Sequence, residues 1–259
     1  MLETINLASI PAFLLVLVRV TAFFVTLPLF SYRNVPAQHK LGFGFFLALL
    51  MFFTIDVPIV LPNGTYILLL LKEALVGLMI GLIAYIILAA IQIAGGFIDF
   101  QMGFAIANVI DPQTGAQSPL IGQYLYTFAL LFLLAVNGHH LMLDGVFYSY
   151  ELIPMQAWLP LSDGNFADFV IQAFNQMFII AFLMAVPVVG CLFLVDVALG
   201  IVARTVPQLN VFVVGLPLKI LVAFIVLFLS IGIFMMLIEN LFETMLATMR
   251  GLMQLFGGA

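Results

Sequence analysis

Two apolar runs, residues 166–203 and 220–256, dominate the last third of this chain, with the segment 204–219 between them. As a helix, each run would reach roughly 55 Å at 1.5 Å per residue. That is much longer than a bilayer's hydrocarbon core of about 30 Å. Two such arms joined by a short connection imply one long helical hairpin. The connection reads RTVPQLNVFVVGLPLK. Pro207 and Pro217 interrupt regular helical bonding, and Gly215 permits backbone conformations that other residues avoid. Yet Val211, Phe212, Val213 and Val214 are strongly apolar, unlike an ordinary water-exposed loop. The segment is therefore expected to be a structured turn whose surface contacts another protein. Beyond Ile238 the second arm becomes amphipathic. Leu241, Phe242, Met245, Leu246, Met249, Leu252, Met253 and Phe256 recur at helical spacing, with Glu239, Glu243 and Arg250 elsewhere.

Composition decides the solvent. Apolar residues make up 65% of the chain and charged residues 7%, against about 45–50% and 25% in soluble domains. The chain is read as an integral membrane protein. Its 259 residues hold about six helical spans of roughly 20 residues each, with no room for an additional soluble domain of ordinary size. The net charge of -5 provides no basic patch and argues against nucleic acid. The single Cys191 excludes an intramolecular disulfide framework and is expected to be a small packing residue. The first residues lack a basic stretch, so the first apolar run is expected to be a retained anchor and not a cleaved signal.

Along the chain, the first run covers residues 7–30 and contains Arg19. The second covers 41–61 and contains Asp56 and Pro58. Pro62-Asn63-Gly64 is a turn signal. Lys72 and Glu73 open a third run that ends near residue 98. A fourth, 124–136, is short for a span, and Asn137-Gly138-His139-His140 breaks it. The expected fold is an all-α integral membrane protein with about six apolar helical segments and the long C-terminal helical hairpin. Arg33, Lys40, Arg204 and Lys219 outnumber Lys72 and Arg250, which favours the turns after the first and fifth runs in the cytoplasm and both termini outside.

Charges in apolar runs cost about 2.5–3.5 kcal/mol each at the bilayer centre, so Arg19, Asp56, Glu73, Asp99 and Asp196 need partners or water. One reading is a self-contained ion-coupled carrier whose relay is Asp56, Glu73 and Asp196. The other is that these groups pair structurally or lie outside the bilayer. Lys72 and Glu73, adjacent in sequence, are not expected to face each other on a helix. His139, His140 and Asp144 could supply two metal ligands from one helical face. A site needs three or four, so they are read as part of a turn at a helix end. No nucleophile–base pair, phosphate loop or nucleotide motif occurs. Catalysis, a metal and a cofactor are not expected.

Two further patterns concern packing and gating. Gly77 and Gly81 form a small-residue pair that lets helices approach closely, and Ala90, Ala94 and Gly95 continue it. The segment 99–123 contains Gly103, Asp111, Pro112, Gly115, Pro119 and Gly122 and no Lys or Arg. Irregular backbone is not tolerated against lipid, so this segment is either an interfacial loop or a re-entrant one lining a cavity. Its uncharged hydrogen bonders are Gln101, Asn108, Gln113, Gln117 and Gln123, with Gln92 just upstream.

Taken together, these pieces resemble the FliR family of flagellar and type III secretion export-gate subunits. The most specific element is Pro207-Gln208-Leu209-Asn210 followed by Phe212, Gly215, Pro217 and Lys219. Arg19, Pro36 with Lys40, Glu73 with Gly77 and Gly81, and Gly95, Gln101 and Gly103 leading to Asp111-Pro112 also match the family in order and spacing. The ending of the turn looks flagellar. The resemblance implies a subunit without catalysis, assembled with FliP-like and FliQ-like proteins beside FlhA- and FlhB-like components, around a closed pore for unfolded protein in the bacterial inner membrane at the flagellar basal body. It implies a fold of bent helical hairpins in which residues 1–165 are FliP-like and 166–259 a FliQ-like hairpin. It also implies that much of the apolar mass is lifted out of the bilayer within the complex. The glycine-rich segment would be a plug, with Gly103, Asn108, Asp111, Pro112, Gly115, Gln117 and Gly122 as its residues. The Pro207–Lys219 motif would contact other subunits or export components, and Glu73, Gly77, Gly81 and Gly95 would serve helix packing.

Overall fold

The computed structural model describes residues 9–30, 35–55, 58, 60–104, 119–159, 165–208 and 210–257. Among these residues the secondary structure is helical, without strands. The helices are α1 Ile10–Thr26, α2 Ala37–Thr54, α3 Gly64–Met102, α4 Leu120–Ala135, α5 Gly138–Leu152, α6 Asn165–Thr205, α7 Val211–Leu229 and α8 Ile231–Gly257. Five of them (α2, α3, α6, α7 and α8) are long and apolar enough to cross a membrane, and the bent pair α4–α5 makes a sixth if counted as one span. The protein is an all-α membrane protein. Asp56, Arg33, Asn108, Asp111, Pro112, Gly115, Gln117 and Leu209 lie outside the described residues.

The chain forms two compact units. Unit 1 comprises Met1–Ile87, Val136–Phe174 and Glu243–Ala259, and unit 2 comprises Leu88–Ala135 and Asn175–Phe242. Each therefore draws on both the 1–165 region and the 166–259 arms.

Unit 1 is built on α1. Ala12, Leu15, Val16, Arg19, Val20, Phe23 and Phe24 are buried, the spacing of one helical face. Aromatic edges join α1 to α2, where Phe13 meets Phe45 and Phe52, and Phe24 meets Phe43. On α3, Gly77 and Gly81 bring backbone against backbone. A Cβ on Gly77 would strike the carbonyl oxygen of Arg19, and one on Gly81 the hydroxyl of Thr26. The end of α8 closes the unit, with Phe256 stacked on Phe166 at 5.7 Å.

At the centre of unit 1 the guanidinium of Arg19 is fully buried, and every one of its N–H donors is used. Nε and Nη2 grip the two carboxylate oxygens of Glu73. Nη1 donates to the backbone oxygen and the hydroxyl of Ser149, each at 3.0 Å. Nη2 also reaches the carbonyl of Ile153. The Tyr150 ring lies 3.7 Å beneath the guanidinium carbon, and its hydroxyl donates to Glu73. Lys72 reaches Glu73 as well, at 2.7 Å, and donates to the carbonyls of Pro154 and Met155. Sequence neighbours thus do meet, contrary to the expectation. The flexible lysine stem lets the ammonium reach Glu73, because leaving it unpaired in an apolar interior costs more than ordering it.

Four other expectations need revision. The interruption read over 99–123 is shorter, since α3 runs on to Met102 and α4 begins at Leu120, which puts Gly122 in a helix. The turn 204–219 is mostly helix, since α7 begins at Val211 and contains Pro217. The second arm is not one helix: it breaks at Ser230, whose hydroxyl bonds back to the Val226 carbonyl at 2.7 Å. Cys191 is exposed on α6 and is not a buried packing residue within the chain. The amphipathic reading of α8 matches the observed burial, with Leu241, Phe242, Met245, Met249, Leu252, Met253 and Phe256 all inside.

The charge arithmetic in unit 1 sets an order of damage. Arg19→Met leaves Glu73 matched by Lys72, whereas Glu73→Gln leaves two buried cations without a carboxylate, a loss of about 3–5 kcal/mol. Glu73→Gln is expected to shorten the half-life of the membrane-bound protein in cells more than Arg19→Met. The reverse order would refute this account of the cluster. A second comparison isolates close packing: Gly77→Val is expected to lower the level of the protein sharply. Gly42→Ala, at a helical glycine with open space around it, should be neutral or gain up to about 1 kcal/mol. Equal levels for the two variants would contradict close α1–α3 packing.

Candidate functional site

The residues that flank segment 105–118 form a tight neck within unit 2. On its upstream side, α3 stops because Gly103 takes φ +91°, which costs a side-chain-bearing residue more than glycine. The Gly103 N–H returns to the Phe100 carbonyl at 3.1 Å and the Phe104 N–H to the Asp99 carbonyl at 3.0 Å, a Schellman termination. Leu216 of α7 presses on Gly103, and a Cβ there would stand 2.6 Å from its methyl group.

Downstream, Pro119 precedes the first turn of α4, whose N–H groups lack partners within the helix. Asp99, one turn before the end of α3, supplies one. Its carboxylate accepts from the Ile121 N–H, at 3.1 Å to the nearer oxygen, and its charge suits the positive end of the helix dipole. Gly95 and Gly122 make the approach possible, because a Cβ on Gly95 would stand only 2.0 Å from the Gly122 Cα. Asp99 therefore spans the neck from α3 to α4.

A second polar group sits on the same turn of α3. Gln101 Nε2 donates to Asp196 Oδ2 of α6 at 2.8 Å, and Lys219 of α7 pairs with the other oxygen of Asp196. The two side chains of that ion pair are 38% and 20% exposed. They border a cavity of about 540 Å³ that Phe100, Gly103, Leu199 and Gly215 also line.

The hairpin motif has local duties. Asn210 caps α7, its side-chain oxygen accepting from the N–H groups of Phe212 and Val213 at 3.2 and 3.4 Å. Gly215 lies close to Leu199 of α6. Pro207 and Gln208 occupy the turn between α6 and α7. Phe212 is 64% exposed. Sequence reasoning found the motif but missed the reach of Asp99 to α4 and the partnership of Gln101 with Asp196. Those pairings are long-range, 22 and 95 residues apart, and no local spacing encodes them.

Glu73 and Asp196 both carry cationic partners, so neither stands as a lone relay carboxylate. His139 and His140 lie ring against ring at 4.0 Å. Among the described residues no group of three or more His, Cys, Asp or Glu gathers as a metal site would need. Of the residues used to infer orientation, Lys72 and Lys219 are held in internal ion pairs, which removes them from the free loop charges that set topology.

Comparison with known proteins covers nearly the whole chain. The family model described as "Bacterial export proteins, family 1" matches residues 10–245. The flagellar biosynthetic protein FliR of Bacillus subtilis is 63% identical over 249 residues, which is 95% of this chain and 96% of that protein. FliR of Escherichia coli is 30% identical over 213 residues, 80% of this chain and 78% of that one. Yop proteins translocation protein T of Yersinia pestis is 34% identical over 164 residues, 63% of this chain and 62% of that one. The span and the level of identity agree with the glycine, carboxylate and hairpin pattern, and the chain belongs to the bacterial export proteins of family 1 as a flagellar FliR member.

Proposed function

We propose that this chain is a subunit of the flagellar type III protein export gate. It assembles with FliP-like and FliQ-like subunits, beside FlhA- and FlhB-like components, into a closed pore for unfolded proteins. The pore lies in the bacterial inner membrane at the flagellar basal body. The observation that carries this reading is similarity along 95% of the chain to a flagellar biosynthetic protein. The physical character of the hairpin supports it. Only 11% of the most apolar stretch of α7 is buried within the chain. At 41 residues, α6 reaches roughly 61 Å, about twice the hydrocarbon core. Phe193 and Leu194 of α6 and Phe228 of α7 are exposed. Apolar surface beyond the bilayer needs protein to cover it.

Within that assembly, the segment between α3 and α4 closes the pore at rest. Asp111 is its only charge, and its other side chains are small, apolar or amide, so it blocks by packing and hydrogen bonds. Irregular backbone at membrane depth is acceptable when protein surrounds it, and low local stability suits an element that must move. The exposed Phe212 side is assigned to contact with other export components. A self-contained carrier receives no support from the geometry, because its candidate carboxylates Glu73 and Asp196 are held in ion pairs.

Expressed alone, the chain is expected to aggregate in mild detergent. With FliP-like and FliQ-like subunits it should elute as one complex; a monodisperse lone monomer would defeat the gate reading. Deleting residues 111–117 should leave assembly intact and make cells leak ions. Phe212→Asp should reduce secretion of flagellar substrates at unchanged protein level, and normal secretion would remove this face from the contact surface.

A further inference from the structure

We propose that Asp196 and Lys219 form a latch that holds the neck of the pore-closing segment through Gln101. This inference rests on the gating role assigned above to that segment. The latch has three members on three helices: Gln101 on the last turn of α3, Asp196 on α6 and Lys219 on α7. One carboxylate serves both partners, with Oδ2 accepting from the Gln101 amide at 2.8 Å and Oδ1 facing the ammonium of Lys219. Gln101 is two residues from Gly103, where α3 ends in the left-handed turn. It is also two residues from Asp99, whose carboxylate holds the start of α4. The neck is thereby tied to both arms of the C-terminal hairpin. Any separation of α7 from α6 draws Lys219 away from Asp196 and changes the charge that Gln101 binds.

The exposure of the latch distinguishes it from the buried ion pairs that Glu73 makes in unit 1. Arg19 and Glu73 are completely buried and surrounded by additional hydrogen bonds, an arrangement that does not open without great cost. Asp196 and Lys219 are partly exposed on the wall of a cavity, where an ion pair is weak and reversible. Leu216 bearing on Gly103 gives α7 a second hold on the same point. A strong buried pair sets the architecture, and a weak accessible pair sits where movement is required.

The test uses the complete export complex in cells and in lipid vesicles, with assembly checked on native gels and resting potassium leak as the readout. Asp196→Asn, Lys219→Gln and Gln101→Leu should each raise the leak roughly three- to tenfold, as expected for losing a charged hydrogen bond or a half-exposed pair. The double exchange Asp196→Lys with Lys219→Asp should return it close to the wild-type rate. A flipped Gln101 amide can offer its oxygen to the exchanged lysine. Leak from the single variants without recovery in the exchange overturns the latch, because charge pairing is then not the cause. Unchanged leak in all assembled single variants, with leak from the 111–117 deletion, overturns the latch and leaves the gating role of the segment standing. A deletion that does not leak overturns that gating role and the latch with it. If a charge variant fails to assemble, Gln101→Leu, which keeps the ion pair, and the double exchange decide the matter.

Discussion

A guanidinium sealed inside an apolar protein tolerates very few arrangements, and unit 1 is organised around meeting its demands. Arg19 has five N–H donors and no acceptor, and in a low-dielectric interior each unmet donor is costly. Glu73 satisfies the fork from α3, and the end of α5 supplies carbonyls from Ser149 and Ile153. Lys72 would add a second positive charge without balance, but the same region offers the Pro154 and Met155 carbonyls. The Ser149 and Ile153 oxygens lie at the C-terminal end of α5, where the helix dipole is negative, and Pro154 and Met155 follow just beyond it. The cluster of two cations and one carboxylate is thus completed by backbone, and α1, α3, α5 and the strand of chain after it are fixed in one relation.

Close backbone contact is the second constraint, and it works through glycine. Gly77 and Gly81 set the distance between α1 and α3, which in turn places Arg19 within reach of Glu73. Gly95 and Gly122 do the same for α3 and α4, and so bring Asp99 to the Ile121 N–H. In an apolar surrounding, helices gain little from burying hydrophobic area against one another. Dispersion between close backbones and a few well-placed polar groups have to supply the specificity. Small residues and paired charges therefore appear in the same places along this sequence.

The outward faces of α6 and α7 follow different rules. They carry large apolar side chains with little intrachain burial, while Asn210, Gly215 and Lys219 shape the hairpin from within. The hairpin motif thus divides into residues that build the turn and helix and others, such as Phe212, that remain exposed. In a member of an export family this division fits a subunit whose core is completed by assembly. The neck around Gly103 lies in the same unit as the inner side of the hairpin. Events that part α6 from α7 have a direct polar path to it through Asp196 and Gln101.

Helical class, membrane character, the long first arm of the hairpin, the Gly77–Gly81 pair and the amphipathic face of α8 were all legible in the sequence. Each depends on periodicity or composition over neighbouring residues, which local physics fixes. The need of Arg19 and Glu73 for partners was legible for the same reason, since a charge in an apolar run carries its penalty wherever the chain goes. The identity of those partners was not. Ser149, Ile153 and Tyr150 come from 130 or more residues beyond Arg19, and the sharing of Asp196 between Gln101 and Lys219 depends on three helices meeting. The start of α7 was also decided beyond simple propensity. The Asn210 side chain caps the helix, which then runs on through Gly215 and Pro217, residues that the sequence marks as breakers. Sequence determined which groups could not stand alone, and only the tertiary arrangement chose the group that answers each, because hydrogen bonds and ion pairs are settled by distance in space.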